Sequence, residues 1–140
     1  MYYLEYVPER INRQYVGEAV EFAMNYLSLA ESVNISIEWS ESVISQDGFI
    51  YAETYDEDEQ WYTIEINSEL DNDRLLRAIF HQIVHVKQRE LQVAEGNLYW
   101  KVSCSGKRSD AYEDQAYDHE TIILKAFQKT KTKPREKVLG

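Results

Sequence analysis

One cysteine, Cys104, in 140 residues leaves no partner for an intrachain disulfide and no material for a cysteine-rich zinc site. Any metal bound here has to be held by histidine and carboxylate. Long apolar runs are also missing. No stretch approaches the roughly 20 consecutive apolar residues that span a bilayer, and Met1-Tyr2-Tyr3-Leu4-Glu5 has neither the basic start nor the apolar run of a signal peptide. The expectation is a cytoplasmic, intracellular protein with no membrane partner. Basic residues are scarce: 15 Lys and Arg against 25 Asp and Glu give a net charge of −10. That balance disfavours nucleic-acid phosphates and anionic lipid, and points to proteins or cations as partners. Internal repeats and linker composition are absent, and a chain of this length buries a core without disulfides or a structural metal, so a single domain is expected.

The charge is unevenly placed. Lys125, Lys129, Lys131, Lys133, Arg135 and Lys137 face only Glu136 after residue 124, which leaves 9 basic against 24 acidic side chains before it. Pro134 and the alternating Thr/Lys pattern suit no packed element, so residues 1–130 are expected to form the domain and 131–140 a basic, flexible tail.

From Pro8 and Glu9, apolar residues recur at three- and four-residue steps from Ile11 to Ala30, the pattern of an amphipathic helix. Asn34 to Ser40 and Trp61 to Asn67 alternate with period two and predict half-buried strands. Asp47-Gly48 signals a turn, and Gly48 to Glu53 a strand between them. The acidic run Glu53 to Glu59 lacks the spaced oxygens and central glycine of an EF-hand loop, and predicts a solvated hairpin tip. Asp71 or Asn72 can cap a second helix running to about Leu91, with Gly96 past its end. Leu98 to Val102 suits a short strand, Ser103 to Ser109 a loop, and Asp110 opens a last helix through about Phe127. The class is therefore α+β, with a small, mostly antiparallel sheet.

The chemistry concentrates in the second helix. His81 and His85 stand four residues apart, so both imidazoles project from one face and can reach a single Zn²⁺. On a wheel at about 100° per residue with Leu75 at zero, Leu76, Ile79, Phe80, Ile83 and Val86 fall between roughly 20° and 140°, and the histidines near roughly 240° and 280°. They face away from the main apolar stripe, which counts against histidines satisfied inside the core; two surface histidines at this spacing by chance remain the bland account. In the zinc-peptidase signature the residue after the first histidine is a glutamate, the general base. Here it is Gln82. A catalytic zinc also needs a third protein ligand. His119 and several carboxylates are available, and Glu113, opening the last helix beyond a long loop, is the best placed. Asp110 and Glu113 equally have the spacing of a capping box, a purely structural use of the same acid.

Leu75 to Gln88, followed beyond Tyr99-Trp100-Lys101 by Tyr112-Glu113-Asp114-Gln115-Ala116-Tyr117-Asp118-His119-Glu120, resembles the small zincin-like metallopeptidases encoded by bacteriophages and related to the gluzincins. In that family the first block runs approximately His-Glu-hydrophobic-hydrophobic-His-Val-Lys-Gln and the second resembles Trp-Glu-x-Glu-Ala-Tyr. The match covers about a third of the chain. It implies a minimal zincin-like domain that binds zinc through His81, His85 and Glu113 and acts on a peptide or protein substrate. Three positions depart from the pattern: Gln82 replaces the catalytic glutamate, Gln115 the second acid, and Tyr112 the tryptophan. A carboxamide hydrogen-bonds water but takes no proton from it, so little hydrolytic activity is expected, whereas Gln115 should act in the shell around the ligands. Tyr117, four residues after Glu113, would be a hydrogen-bond donor to a developing oxyanion, although packing is the commoner role of a tyrosine. The strand Tyr62 to Asn67 is a candidate edge for an extended peptide. The near-isosteric Gln82 fits an inactivated peptidase or a natural pseudoenzyme that binds a peptide or partner. The alternative from another class is an acidic phage accessory or protein-binding module with no functional metal site.

Overall fold

The computed structural model describes the backbone of residues 1–43, 49–56, 59–94 and 111–139, and the side chains of 1–43, 61–91 and 113–131. The elements in chain order are β1 (Tyr2–Glu5), α1 (Arg13–Tyr26), β2 (Val33–Ser40), β3 (Phe49–Asp56), β4 (Glu59–Asn67), α2 (Asn72–Ala94) and α3 (Ala111–Leu139). The expected turn at Asp47-Gly48, the strand Leu98 to Val102, the loop 103–109, Gly96, Tyr99 to Lys101 and the Asp110 capping position lie outside the described residues.

The class is α+β as expected, but the sheet differs from expectation in two ways. Its order is β1-β2-β4-β3, with β1·β2 and β2·β4 parallel and only the β3·β4 hairpin antiparallel. It is therefore mostly parallel. The parallel β1·β2 pair needs a crossover, and α1 supplies it. Second, β4 is paired on both sides, so the strand proposed from sequence as a peptide-binding edge is interior; the edges are β1 and β3. Asp56 pairs with Glu59 across the β3–β4 hairpin; Glu57 and Asp58 of the acidic run lie outside the described residues.

Alternation along the strands separates two faces. Val33, Ile35, Ile37 and Trp39 of β2, with Tyr62, Ile64 and Ile66 of β4 and Leu4 of β1, are buried toward the helices. The intervening Asn34, Ser36, Glu38, Thr63 and Glu65 are half-buried on the other face, where Tyr3 and Trp61 stack with ring centroids 5.4 Å apart. α1 packs by β1 and α2 by β4.

α1 is shorter than its apolar pattern. The Asn12 side chain accepts from Tyr15 N at 3.1 Å and starts the helix there, while Ile11 N closes a turn on Pro8 O at 3.0 Å. Ser28, at φ 52, ends it with Ser28 N on Asn25 O and Leu29 N on Met24 O. Gly17 faces Tyr2 so closely that a Cβ would sit 2.8 Å from its hydroxyl oxygen, so β1 and α1 approach where glycine permits it.

α2 is buried nearly all round between Leu75 and Val86. One side meets the sheet and α1; the other meets α3, which runs antiparallel to it, as the pairs Asp73–Gln128 (3.2 Å), Arg77–Thr121 (2.9 Å) and His81–Glu120 (3.3 Å) show. Phe127 joins all three helices, its ring 5.4 Å from Tyr15, 5.5 Å from Phe22 and 6.2 Å from Phe80. α3 does not stop near Phe127. Its helical backbone continues through Leu139, past Pro134, and Lys131, the first residue assigned to the tail, pairs with Glu18 and lies over the Tyr15 and Phe127 rings.

Candidate metal centre

Two helices build the centre. α2 delivers His81 and His85 one turn apart on its α3-facing side, and α3 delivers Glu113 from its first turn. All three are essentially inaccessible, at 1%, 0% and 1% exposure. The expectation that the histidines stand apart from the core is corrected, since both are buried and hydrogen-bonded between α2 and α3; the capping box has its Asp110 end outside the described residues. The histidines are not on the surface, and Glu113 turns inward onto them rather than serving only as a helix-opening acid.

The geometry is convergent. His81 Nε2 and His85 Nε2 are 3.2 Å apart, and Glu113 Oε1 lies 3.3 Å from the first and 2.5 Å from the second. His85, His81 and Glu113 form the candidate metal-holding group among the described residues. The outer ring nitrogens settle which atoms carry protons. His81 Nδ1 is 3.3 Å from Glu120 Oε1, and a carboxylate only accepts, so His81 donates through Nδ1. His85 Nδ1 is 2.7 Å from Gln88 Oε1, also an acceptor, so His85 donates there too. With both rings neutral, the two Nε2 atoms present lone pairs to each other and to a carboxylate oxygen. Three acceptors around one point repel unless something positive sits among them. Tetrahedral zinc with ligands at 2.0–2.1 Å sets its donor atoms about 3.3 Å apart, which two of the three separations match. The donor set, two neutral imidazoles and one carboxylate, is also the kind zinc takes in catalytic sites.

Burial pushes His85 below its ordinary pKa, and neighbouring His81 adds to the effect; Gln88 and Glu113 oppose it. The imidazole is thereby kept neutral, the form that binds a metal.

Of the other residues singled out from sequence, Tyr117 packs its ring on the His81 imidazole, centroids 4.6 Å apart. Gln82 is buried at 1% exposure beside His81 in the chain. His119, the other candidate third ligand, points elsewhere: its Nδ1 donates to Gln115 O at 2.9 Å. Sequence reasoning missed Gln88 and Glu120 as members of the centre. Helical spacing held the signal for both. Gln88 falls near about 220° on the wheel that puts the histidines at about 240° and 280°, and Glu120 is two turns beyond Glu113 on the same side of α3. Gln115 is indeed in the surrounding shell, accepting from Gln88 Nε2 at 2.6 Å.

Comparison with protein-family models, curated proteins and solved structures gives no match, so the functional reading rests on the centre itself. No helix among the described residues is long and apolar enough to cross a membrane.

Proposed function

We propose that the chain is a minimal zincin-like metallopeptidase domain, akin to the phage-encoded enzymes it resembles, that binds zinc through His81, His85 and Glu113 and hydrolyses peptide bonds weakly because Gln82 replaces the general base. The observation that carries this reading is the convergence of three buried acceptor atoms whose separations suit a tetrahedral ion. A binding module with no metal would need a ring proton on His81 or His85 Nε2 to hold the same three atoms together.

Bound at this point, zinc would supply Lewis-acid polarisation of water and of a peptide carbonyl. The protein's part is to hold the ligands oriented: Glu120 and Gln88 fix the two imidazoles from behind. Gln82, adjacent to the first ligand, offers a carboxamide that orients water without accepting its proton, at a cost of roughly 10²–10⁴ in rate against glutamate. Tyr117 is held against His81, and its hydroxyl is the proposed donor to an oxyanion. With β4 interior, the edge on the α2 side of the sheet is β3, and an extended peptide would add there by main-chain hydrogen bonds.

Gln82→Glu tests the proposal. It keeps volume and supplies the proton acceptor, so it should leave fold and zinc content unchanged and raise chelator-sensitive cleavage of a quenched peptide library by roughly 10²–10⁴-fold. Comparable cleavage by the Gln82 form would refute the assignment of the base. A zinc-loaded Gln82→Glu variant that cleaves nothing would leave a metal-stabilised binding protein as the better account.

A further inference from the structure

Behind the centre runs a chain of amides that crosses from α2 to α3. Gln88, only 5% exposed, places Oε1 2.7 Å from His85 Nδ1 and donates through Nε2 to Gln115 Oε1 at 2.6 Å. A primary amide has one accepting end and one donating end; with Gln115 turning its own oxygen to Gln88 Nε2, the Gln88 oxygen is left for His85. With the amide reversed, Gln88 Nε2 would donate to Nδ1, the ring proton would move to Nε2, and the lone pair facing Glu113 would be lost.

We propose that Gln88, oriented by Gln115, is a positioning residue that locks His85 in the Nδ1–H tautomer and so keeps its Nε2 lone pair directed at the metal position. The proposal rests on the zinc-site reading above. His81 is held differently, by the Glu120 carboxylate, which accepts in either orientation and needs no partner to set it. The centre thus has one ligand fixed by charge and one fixed by amide orientation. Glutamate and glutamine at position 115 both offer an oxygen to Gln88 Nε2, so the relay would survive that exchange, whereas an apolar residue there would break it.

The tautomer is readable without metal. Long-range proton–nitrogen correlations on zinc-free protein labelled with ¹⁵N-histidine, at mildly alkaline pH, distinguish the two ring forms directly. The parent chain should show Nδ1–H at His85, and Gln88→Leu should convert it to Nε2–H and weaken zinc binding by roughly 10–100-fold. Gln88→Glu, which still accepts from Nδ1, should retain both the tautomer and the affinity. Gln115→Leu and Gln115→Glu test the outer link from the exposed rim of α3, and keep the proposal falsifiable if Gln88→Leu fails to fold: leucine should loosen the tautomer preference and lower affinity, glutamate should do neither. A Gln88→Leu or Gln115→Leu protein that keeps the Nδ1–H form and unchanged zinc affinity overturns the relay. Its failure is separable from failure of the metal reading, because a chain that shows the Nδ1–H form at His85 and takes up no zinc would contradict only the latter.

Discussion

Replacing Glu113 by glutamine should abolish zinc binding and yet strengthen the zinc-free protein, a pair of opposite effects that follows from the donor inventory of the centre. With His81 and His85 both donating outward through Nδ1, the carboxylate oxygen 2.5 Å from His85 Nε2 faces a lone pair. An amide of the same volume can turn N–H toward that nitrogen. Satisfying a buried acceptor in this way is worth about 1–3 kcal/mol, which for a chain of this size corresponds to about 3–10 °C in Tm. Zinc at about 1,000 times its Kd should stabilise the parent by about 4 kcal/mol, or about 12–16 °C, by binding only the folded state. The variant has lost the charged ligand and should gain almost none of this. Melting curves followed by circular dichroism, in chelator and in excess zinc, should therefore cross: Glu113→Gln above the parent without metal, below it with metal. A variant that melts several degrees lower than the parent in chelator, or that keeps the zinc-induced shift, would refute the assignment of three mutually facing acceptors.

Two further outcomes are expected. In zinc-free protein His85 is held below its ordinary 6.5, so as pH falls through that value the unfolded chain takes up a proton that the folded one resists; stability is full above it and lost progressively below, and urea midpoints should decline across that window much less steeply in His85→Gln. Deleting residues 132–140 should move Tm by less than about 2 °C, because Pro134 removes a helical N–H and crowds the preceding turn while Lys131, which anchors α3 to Glu18, is retained; a fall of many degrees in a thermal melt would show that the final turns of α3 are packed.

The legible parts of the sequence were those in which one residue pattern has one physical meaning. The i,i+4 histidines off the apolar stripe of α2, and an acid opening the next helix, led to three side chains that the fold brings together. The strands β2 and β4 were legible because, among the described residues, one face of the sheet is fully buried and the other half-buried, which imprints alternation. That same alternation misled on direction. Parallel sheets are usually covered on both faces and lose the pattern; here a mostly parallel sheet keeps it because, among the described residues, the helices pack against a single face. β1 escaped because four residues with one buried side chain, Leu4, carry no measurable period. α1 was overextended because the stretch from Pro8 to Asn12 continues the apolar spacing while the Asn12 cap, a local hydrogen bond, sets the boundary. The end of α3 was misplaced for the opposite reason: apolar periodicity is lost after Phe127, whereas the backbone remains helical through Leu139. Gln88 and Glu120 were passed over because a glutamine and a glutamate on a helix are ordinarily solvated, and only the antiparallel docking of α3 on α2 buries them behind the histidines.

The central claim is that this pair of helices holds one zinc ion, and elemental analysis answers it most directly. Protein purified without affinity-tag metals should contain close to one equivalent of zinc per chain. That content should be lost on Glu113→Ala and retained on His119→Ala, since Glu113 Oε1 lies against both imidazoles and His119 donates to the backbone of Gln115. A metal-free parent that takes up no added zinc, or loss of zinc on His119→Ala but not on Glu113→Ala, would contradict the account.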